Sequence, residues 1–209
     1  MKILIIGASR GIGKQLLAFA LDNGHEVSVL ARNPDKIDVS HPRLRIVRGD
    51  VLDRAAVALA VAGQDAICLC FGIPPTRKPV EVFSSGTANV INAIGDRSDV
   101  MLLAITGVGA GDSKGHGGFV FDRIICPLLL RTIYEDKDRQ EHIIERSRLK
   151  WIIVRPAMLT NGPRTGHYKL INNLAGVTSK KISRADVADF ILAQLDEPTQ
   201  LRKAPLLTY

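Results

Sequence analysis

Cysteine, aromatic residues and long apolar runs are all scarce in this chain, and each shortage closes off a class of protein. Its three cysteines, Cys68, Cys70 and Cys126, are an odd number and give no paired disulfide framework. No further ligands follow at short spacing, so no metal site is expected. Cys68 and Cys70 stand two apart in an apolar run, which puts both on one face of a strand as small buried hydrophobes. Aromatics make up 5% of the residues and are not interleaved with basic ones. The excess of seven positive charges is dispersed, with no block of like charge, so nucleic acid is not an expected partner. No apolar run approaches the roughly 20 residues of a membrane span, and Lys2 leads straight into a strand rather than a secretory leader. The expected setting is cytoplasmic, with no membrane partner.

What is present is ordinary globular material, 46% hydrophobic and 23% charged, in an amount suited to one substantial domain. Short apolar runs alternate with helical stretches. Strands are expected at 2–6, 26–31, 44–48, 66–70, 100–105 and 151–154. Helices are expected at 11–22, 53–62, 79–95, around 122–147 and near 184–195. Continuous apolar strands separated by helices predict an α/β fold, a doubly wound, mostly parallel sheet in a single domain spanning 1–209. Two loops leave the expected carboxyl edge. Residues 107–121 carry six glycines and read as a mobile segment; 156–181 contain Pro156, Asn161-Gly162-Pro163 and Gly166. Both are expected to serve as small substrate loops.

The most informative stretch is Gly7-Ala8-Ser9-Arg10-Gly11-Ile12-Gly13. It follows the apolar run Ile3 to Ile6 and opens an amphipathic segment, giving strand, glycine turn and helix in the order a dinucleotide site needs. Glycines let the backbone approach a pyrophosphate, and the new helix turns free N–H groups and its positive dipole end toward it. Gly7, Ser9, Arg10, Gly11, Ile12 and Gly13 are therefore the expected phosphate-binding set. Some 20 residues on, where an NAD site offers an acidic residue to the ribose, the chain has Ala31 and Arg32. Arg32 and Arg10 suit a 2′-phosphate, which favours NADP(H) over NAD(H). Asp50, with the Val51 amide, is placed to meet the adenine, or else caps the following helix, a role open also to Asp53. Cys70, Phe71 and Gly72 end the fourth strand, where the backbone would pass the cofactor ribose.

Together these motifs resemble the atypical branch of the short-chain dehydrogenase/reductase superfamily, the NmrA-like and biliverdin- or flavin-reductase-like NAD(P)-binding proteins. The resemblance extends to Gly86-Thr87-Ala88-Asn89-Val90, to Lys137 and Glu141 four apart, and to Trp151 through Arg155-Pro156. It also takes in Ile182-Ser183-Arg184-Ala185-Asp186-Val187-Ala188. It implies that Lys137 binds the nicotinamide ribose, that Thr106 stands where the family has serine, and that Pro156 borders the cofactor. It also exposes a departure. The family's catalytic tyrosine lies four residues before its lysine, where this chain has Ile133, and Tyr134 is only three away. One residue turns a helix by about 100°, so Tyr134 has no guaranteed line to the nicotinamide.

Thr106, Lys137 and Tyr134 remain the catalytic candidates, in an incomplete proton-transfer set. A ketone or alcohol needs a positioned acid or base at its oxygen, whereas a flavin, quinone or tetrapyrrole takes hydride at a conjugated atom. The expected function is thus NADPH-dependent reduction of a small planar acceptor by a monomer or homodimer. The alternative is a non-catalytic NADP(H)-binding redox sensor or assembly partner. A nucleotide-sugar isomerase or dehydratase is disfavoured, since the stretch after Ile182 is too short for the larger substrate domain such enzymes carry.

Overall fold

A computed structural model describes residues 1–209. Five runs form the left half of the sheet and its helices: β1 Lys2–Ile6, α1 Gly11–Asp22, β2 Glu26–Ala31, β3 Leu44–Arg48 and α2 Arg54–Val61. Then come β4 Ala66–Leu69, α3 Val82–Ile94, β5 Met101–Ile105, α4 Arg131–Glu145 and β6 Lys150–Pro156. The chain closes with β7 Met158–Thr160, β8 Lys169–Ile171, β9 Lys181–Ser183, α5 Arg184–Asp196 and β10 Leu206–Thr208.

Eight strands make one sheet in the order β3-β2-β1-β4-β5-β6-β10-β8, parallel except for β8, which runs antiparallel to β10. β7 and β9 form a separate parallel pair. The chain reverses its winding between β1 and β4, where Ile6 pairs with Leu30 on one side and Leu69 on the other. In doubly wound sheets this reversal opens the ligand crevice at the carboxyl ends.

Strand side chains alternate between faces, and the two cores follow that alternation. Ile3, Ile5, Cys68, Leu103 and Ile152 pack beneath α1 and α5 with Leu16, Leu17 and Phe190. Leu4, Ile6, Ile67, Leu102 and Ile153 pack beneath α2, α3 and α4 with Val57, Val90 and Ile144. Cys68 and Cys70 both lie on the first of these faces, and burial pushes the Cys70 thiol up to about 12.

Two expectations need correcting. The long helix around 122–147 is broken: Phe121–Leu130 is a π-helical segment containing Pro127, and regular α4 starts only at Arg131. Proline lacks an N–H and crowds the carbonyl four residues back, so an ordinary α-helix cannot run through it. The glycine-rich loop is not loose over residues 107–113. Val108, Ala110 and Ser113 are buried, Gly109 N donates to Ser113 Oγ, and Gly111 N donates to Asp138.

Candidate active site

The β1–α1 turn is shaped by two close approaches. A Cβ on Gly13 would lie 2.2 Å from the Gly7 carbonyl oxygen, and one on Gly7, whose φ is +100°, would lie 2.5 Å from Phe71 N. The first helical turn is thereby pressed onto the strand end, and the β4 exit lies against both. Arg10 precedes α1, but its side chain makes no capping bond, and the first turn holds no acidic residue. The amides of Gly11, Ile12 and Gly13 donate to no group of the chain. Free amides at a helix start whose glycine turn leaves no room for side chains fit a pyrophosphate.

At the adenosine end Arg32 is exposed, with Nε 3.9 Å from Asp50 Oδ2. The Asp50 carboxylate accepts from Leu52 N at 2.9 Å, while Asp53 caps α2 through Ala55 N and Ala56 N. The capping role thus falls to Asp53. Asn89 of α3 fastens the same turn, donating to the carbonyls of Val51 and Leu52 at 3.1 and 3.3 Å. Arg10 Nη2 donates to the Gly72 carbonyl at 3.4 Å, bridging the glycine turn and the β4 exit where Cys70 and Phe71 stand.

The nicotinamide end is the β5 exit. Ile133 is buried with Val80 and Phe83, but Tyr134 does reach this exit. A carbon built on Gly107 would lie 3.1 Å from the Tyr134 hydroxyl and 3.8 Å from Lys137 Nζ. Three residues amount to about 300°, so the two side chains lie within 60° of one another on the helix. Thr106, 2% exposed, turns its hydroxyl inward and donates to Glu141 Oε1 at 2.6 Å. Lys137 donates to the Thr106 carbonyl and lies 5.3 Å from the ring centres of both Phe83 and Tyr134. Pro156 closes the floor, its carbonyl accepting from Val108 N.

Burial tunes these groups. Loss of hydration pulls the Lys137 ammonium down to about 8, although Glu141 acts the other way. Burial also raises the Tyr134 hydroxyl well above its ordinary value. Lys137 is charged in both folded and unfolded chains below pH 8, and the unfolded chain holds the extra proton between about 8 and 10.5. Stability therefore rises with pH across that window. Relative to Lys137→Met, the unaltered protein should gain about 3 kcal/mol there, measurable by urea unfolding across pH.

Three supports escaped sequence reading. Glu141, matched as half of a spaced Lys/Glu pair, is locked to Arg155 through Nε at 3.1 Å and Nη2 at 2.6 Å; the two are 1% and 3% exposed. Asp136 caps α3 from another helix, accepting from Phe83 N at 2.8 Å and Ser84 N at 3.4 Å. Asp186 fastens the 156–181 loop, accepting from Thr165 N, Gly166 N and the Tyr209 hydroxyl. Each partner is remote in sequence, and the only signal was an acidic residue inside a segment that also packs.

A doubly wound sheet with a free-amide glycine turn at its switch point defines a dinucleotide-binding protein of Rossmann type. A family model for NAD(P)H-binding proteins matches residues 7–198, and the chain belongs to that family. Bacillus subtilis (strain 168) YwnB, itself uncharacterized, is 29% identical over 201 residues, covering 94% of this chain and 92% of YwnB. Among solved structures, the Escherichia coli O157:H7 protein ChuY, described as an anaerobillin reductase, superposes with a TM-score of 0.82 at 22% identity. That match covers 100% of this chain and 97% of ChuY. A Veillonella parvula short-chain dehydrogenase/reductase solved with NADP gives 0.80 at 19% identity, covering 100% and 94%. These likenesses establish the fold. No helix is long and apolar enough to cross a membrane.

Proposed function

We propose that this protein is a cytoplasmic NADPH-dependent reductase of small planar acceptors of the flavin, quinone or tetrapyrrole type. The observation that carries the reading is the inward turn of the Thr106 hydroxyl onto Glu141. It takes away the hydroxyl that would polarise a carbonyl, and burial leaves Tyr134 a weak acid near neutrality. A proton donor works best with a pKa near the working pH, and Lys137 is the group here that comes closest. An acceptor that takes hydride at a conjugated carbon or nitrogen, with its proton from solvent, needs no more. A protein described as an anaerobillin reductase shares this fold, which supports a reductase reading.

In this reading Gly7, Ser9, Arg10, Gly11, Ile12 and Gly13 hold the phosphates and Arg32 selects the 2′-phosphate, giving NADP(H) over NAD(H). Asp50 and Val51 meet the adenine, and Cys70, Phe71 and Gly72 pass the ribose. Thr106 and Pro156 support the nicotinamide end through their backbones, Lys137 orients the ribose, and Tyr134 walls the acceptor. The bound cofactor supplies the hydride, and the side chains supply orientation and exclusion of water.

A second reading, an NADP(H)-binding sensor that docks a partner, is favoured by the exposed apolar segment before α4, where Phe119 is 77% and Leu128 57% exposed. NADPH oxidation with FMN, a quinone, biliverdin and a simple aldehyde separates the two. Turnover with a planar acceptor and not the aldehyde is expected. Aldehyde reduction abolished by Tyr134→Phe would overturn the planar-acceptor reading, and NADPH binding without any turnover would favour the sensor.

A further inference from the structure

Arg184 is the first residue of α5, outside every segment assigned to the cofactor so far. Its Cδ and Nε lie 3.8 Å from where a Cβ on Gly11 would stand, so its side chain lies along the start of α1. Its only hydrogen bond runs from Nη1 to Asn161 Oδ1 at 2.8 Å, a neutral acceptor in the loop after β7. No carboxylate lies within ion-pair distance of it. Lys14 is paired with Asp38 at 2.7 Å, and Arg164 with Asp189 and 4.8 Å above the Phe19 ring, while Arg10, just before the helix, holds only the Gly72 carbonyl. Arg184 therefore lies without an anionic partner beside Gly11, the first of the three free amides.

The side from which it arrives matters. α5 follows β9, which pairs with β7 just beyond the β6 exit, so Arg184 comes to Gly11 from the β6 side of the crevice. Arg32 and Asp50 stand on the opposite side, beyond β2 and β3. Gly107, with the Tyr134 hydroxyl and Lys137 beside it, follows β5 and so also lies on the β6 side of β1 in the strand order, although α4 and α5 cover opposite faces. We propose that Arg184 binds the pyrophosphate at its nicotinamide-side phosphate and, through Asn161, ties the 156–166 loop to the bound cofactor. A guanidinium suits this task because its fork can hold phosphate oxygens and the Asn161 carbonyl at once. It is a cofactor-binding residue supplied by the substrate side of the fold.

The inference rests on the NADPH reading but not on turnover, so it is tested by binding. Titration calorimetry compares NADPH with 2′,5′-ADP, which ends at the adenosine-side phosphate, on the full chain and on Arg184→Ala. The helix start is unaffected by the change, because Ser183 caps α5 through Asp186 N at 2.9 Å. Arg184→Ala should bind NADPH about 10- to 100-fold more weakly, the scale of a lost charge-assisted hydrogen bond, and 2′,5′-ADP within about twofold of the unaltered protein. Arg184→Lys should recover part of the loss, since it restores the charge without the fork.

Unchanged NADPH affinity in Arg184→Ala would overturn the proposal. Equal weakening of both ligands would overturn it too, by placing the arginine's effect elsewhere. Failure of the unaltered protein to reduce any acceptor while these affinities behave as expected would sink the reductase reading alone. Were NADH the tighter cofactor, NADH against 5′-AMP would put the same question to Arg184.

Discussion

Gly13→Ala is expected to cost the fold about 2–3 kcal/mol and to weaken NADPH binding by roughly tenfold or more. The new methyl carbon would stand 2.2 Å from the Gly7 carbonyl oxygen, and both groups are backbone, so no side chain can rotate away. Either α1 lifts off the strand end or the β1 exit bends. Both movements displace the amides of Gly11 and Ile12, and both disturb Leu16 and Leu17, which are 0% and 1% exposed. Gly72→Ala is the informative contrast. Nothing in the chain lies within 4 Å of a Cβ at Gly72, so the fold should tolerate it fully. If it loses NADPH affinity at unchanged stability, the cofactor backbone passes against that glycine. Urea unfolding and calorimetric titration of the two variants read both effects.

Glu141→Ala is expected to destabilise the protein by about 3–5 kcal/mol, because it strands the Arg155 guanidinium in the interior. Arg155 keeps only exposed Asp112 as a charged partner, and the Thr106 hydroxyl loses its acceptor as well. Replacing both members of the pair at once, with Glu141→Met and Arg155→Leu, should recover most of that stability, since breaking a buried pair costs more than removing it. The double variant should nevertheless reduce acceptors more slowly. Thr106 would then be free to turn, and the β5 exit that carries Gly107 and the Lys137 contact would lose its anchor. A double variant as unstable as Glu141→Ala would mean that the pair contributes net stability rather than fixing a geometry.

The contrast between these variants mirrors what could be read from the residues alone. β1, β2 and β3 lie where their runs place them: β1 and β2 because strands covered on both faces are apolar along most of their length, and the half-buried edge strand β3 through the alternation of Leu44 and Ile46 with Arg45. The glycine turn was legible because the Gly13–Gly7 approach is local in sequence, although the close pass of Gly7 against Phe71 is not. The three-residue strands β7, β8, β9 and β10 carry no such pattern and exist only because distant partners are present, as Leu206 pairs with Arg155 and Ile171. Tyr134 shows the same limit at the site. Its spacing from Lys137 departs from the family pattern, yet the open space at Gly107 admits its hydroxyl. Glu141 looked like half of a spaced pair, and only its contact with Arg155 reveals a buried ion pair.

The proposal that hydride leaves NADPH for a planar acceptor is tested most directly by single-turnover oxidation of NADPH deuterated at nicotinamide C4, one face at a time. With the acceptor that supports turnover, one diastereomer should be oxidised more slowly than unlabelled NADPH and the other at the unlabelled rate. Equal rates for both labels would contradict direct hydride transfer as the step this fold positions. Retention of bound, unoxidised NADPH with every acceptor would contradict the reductase reading altogether.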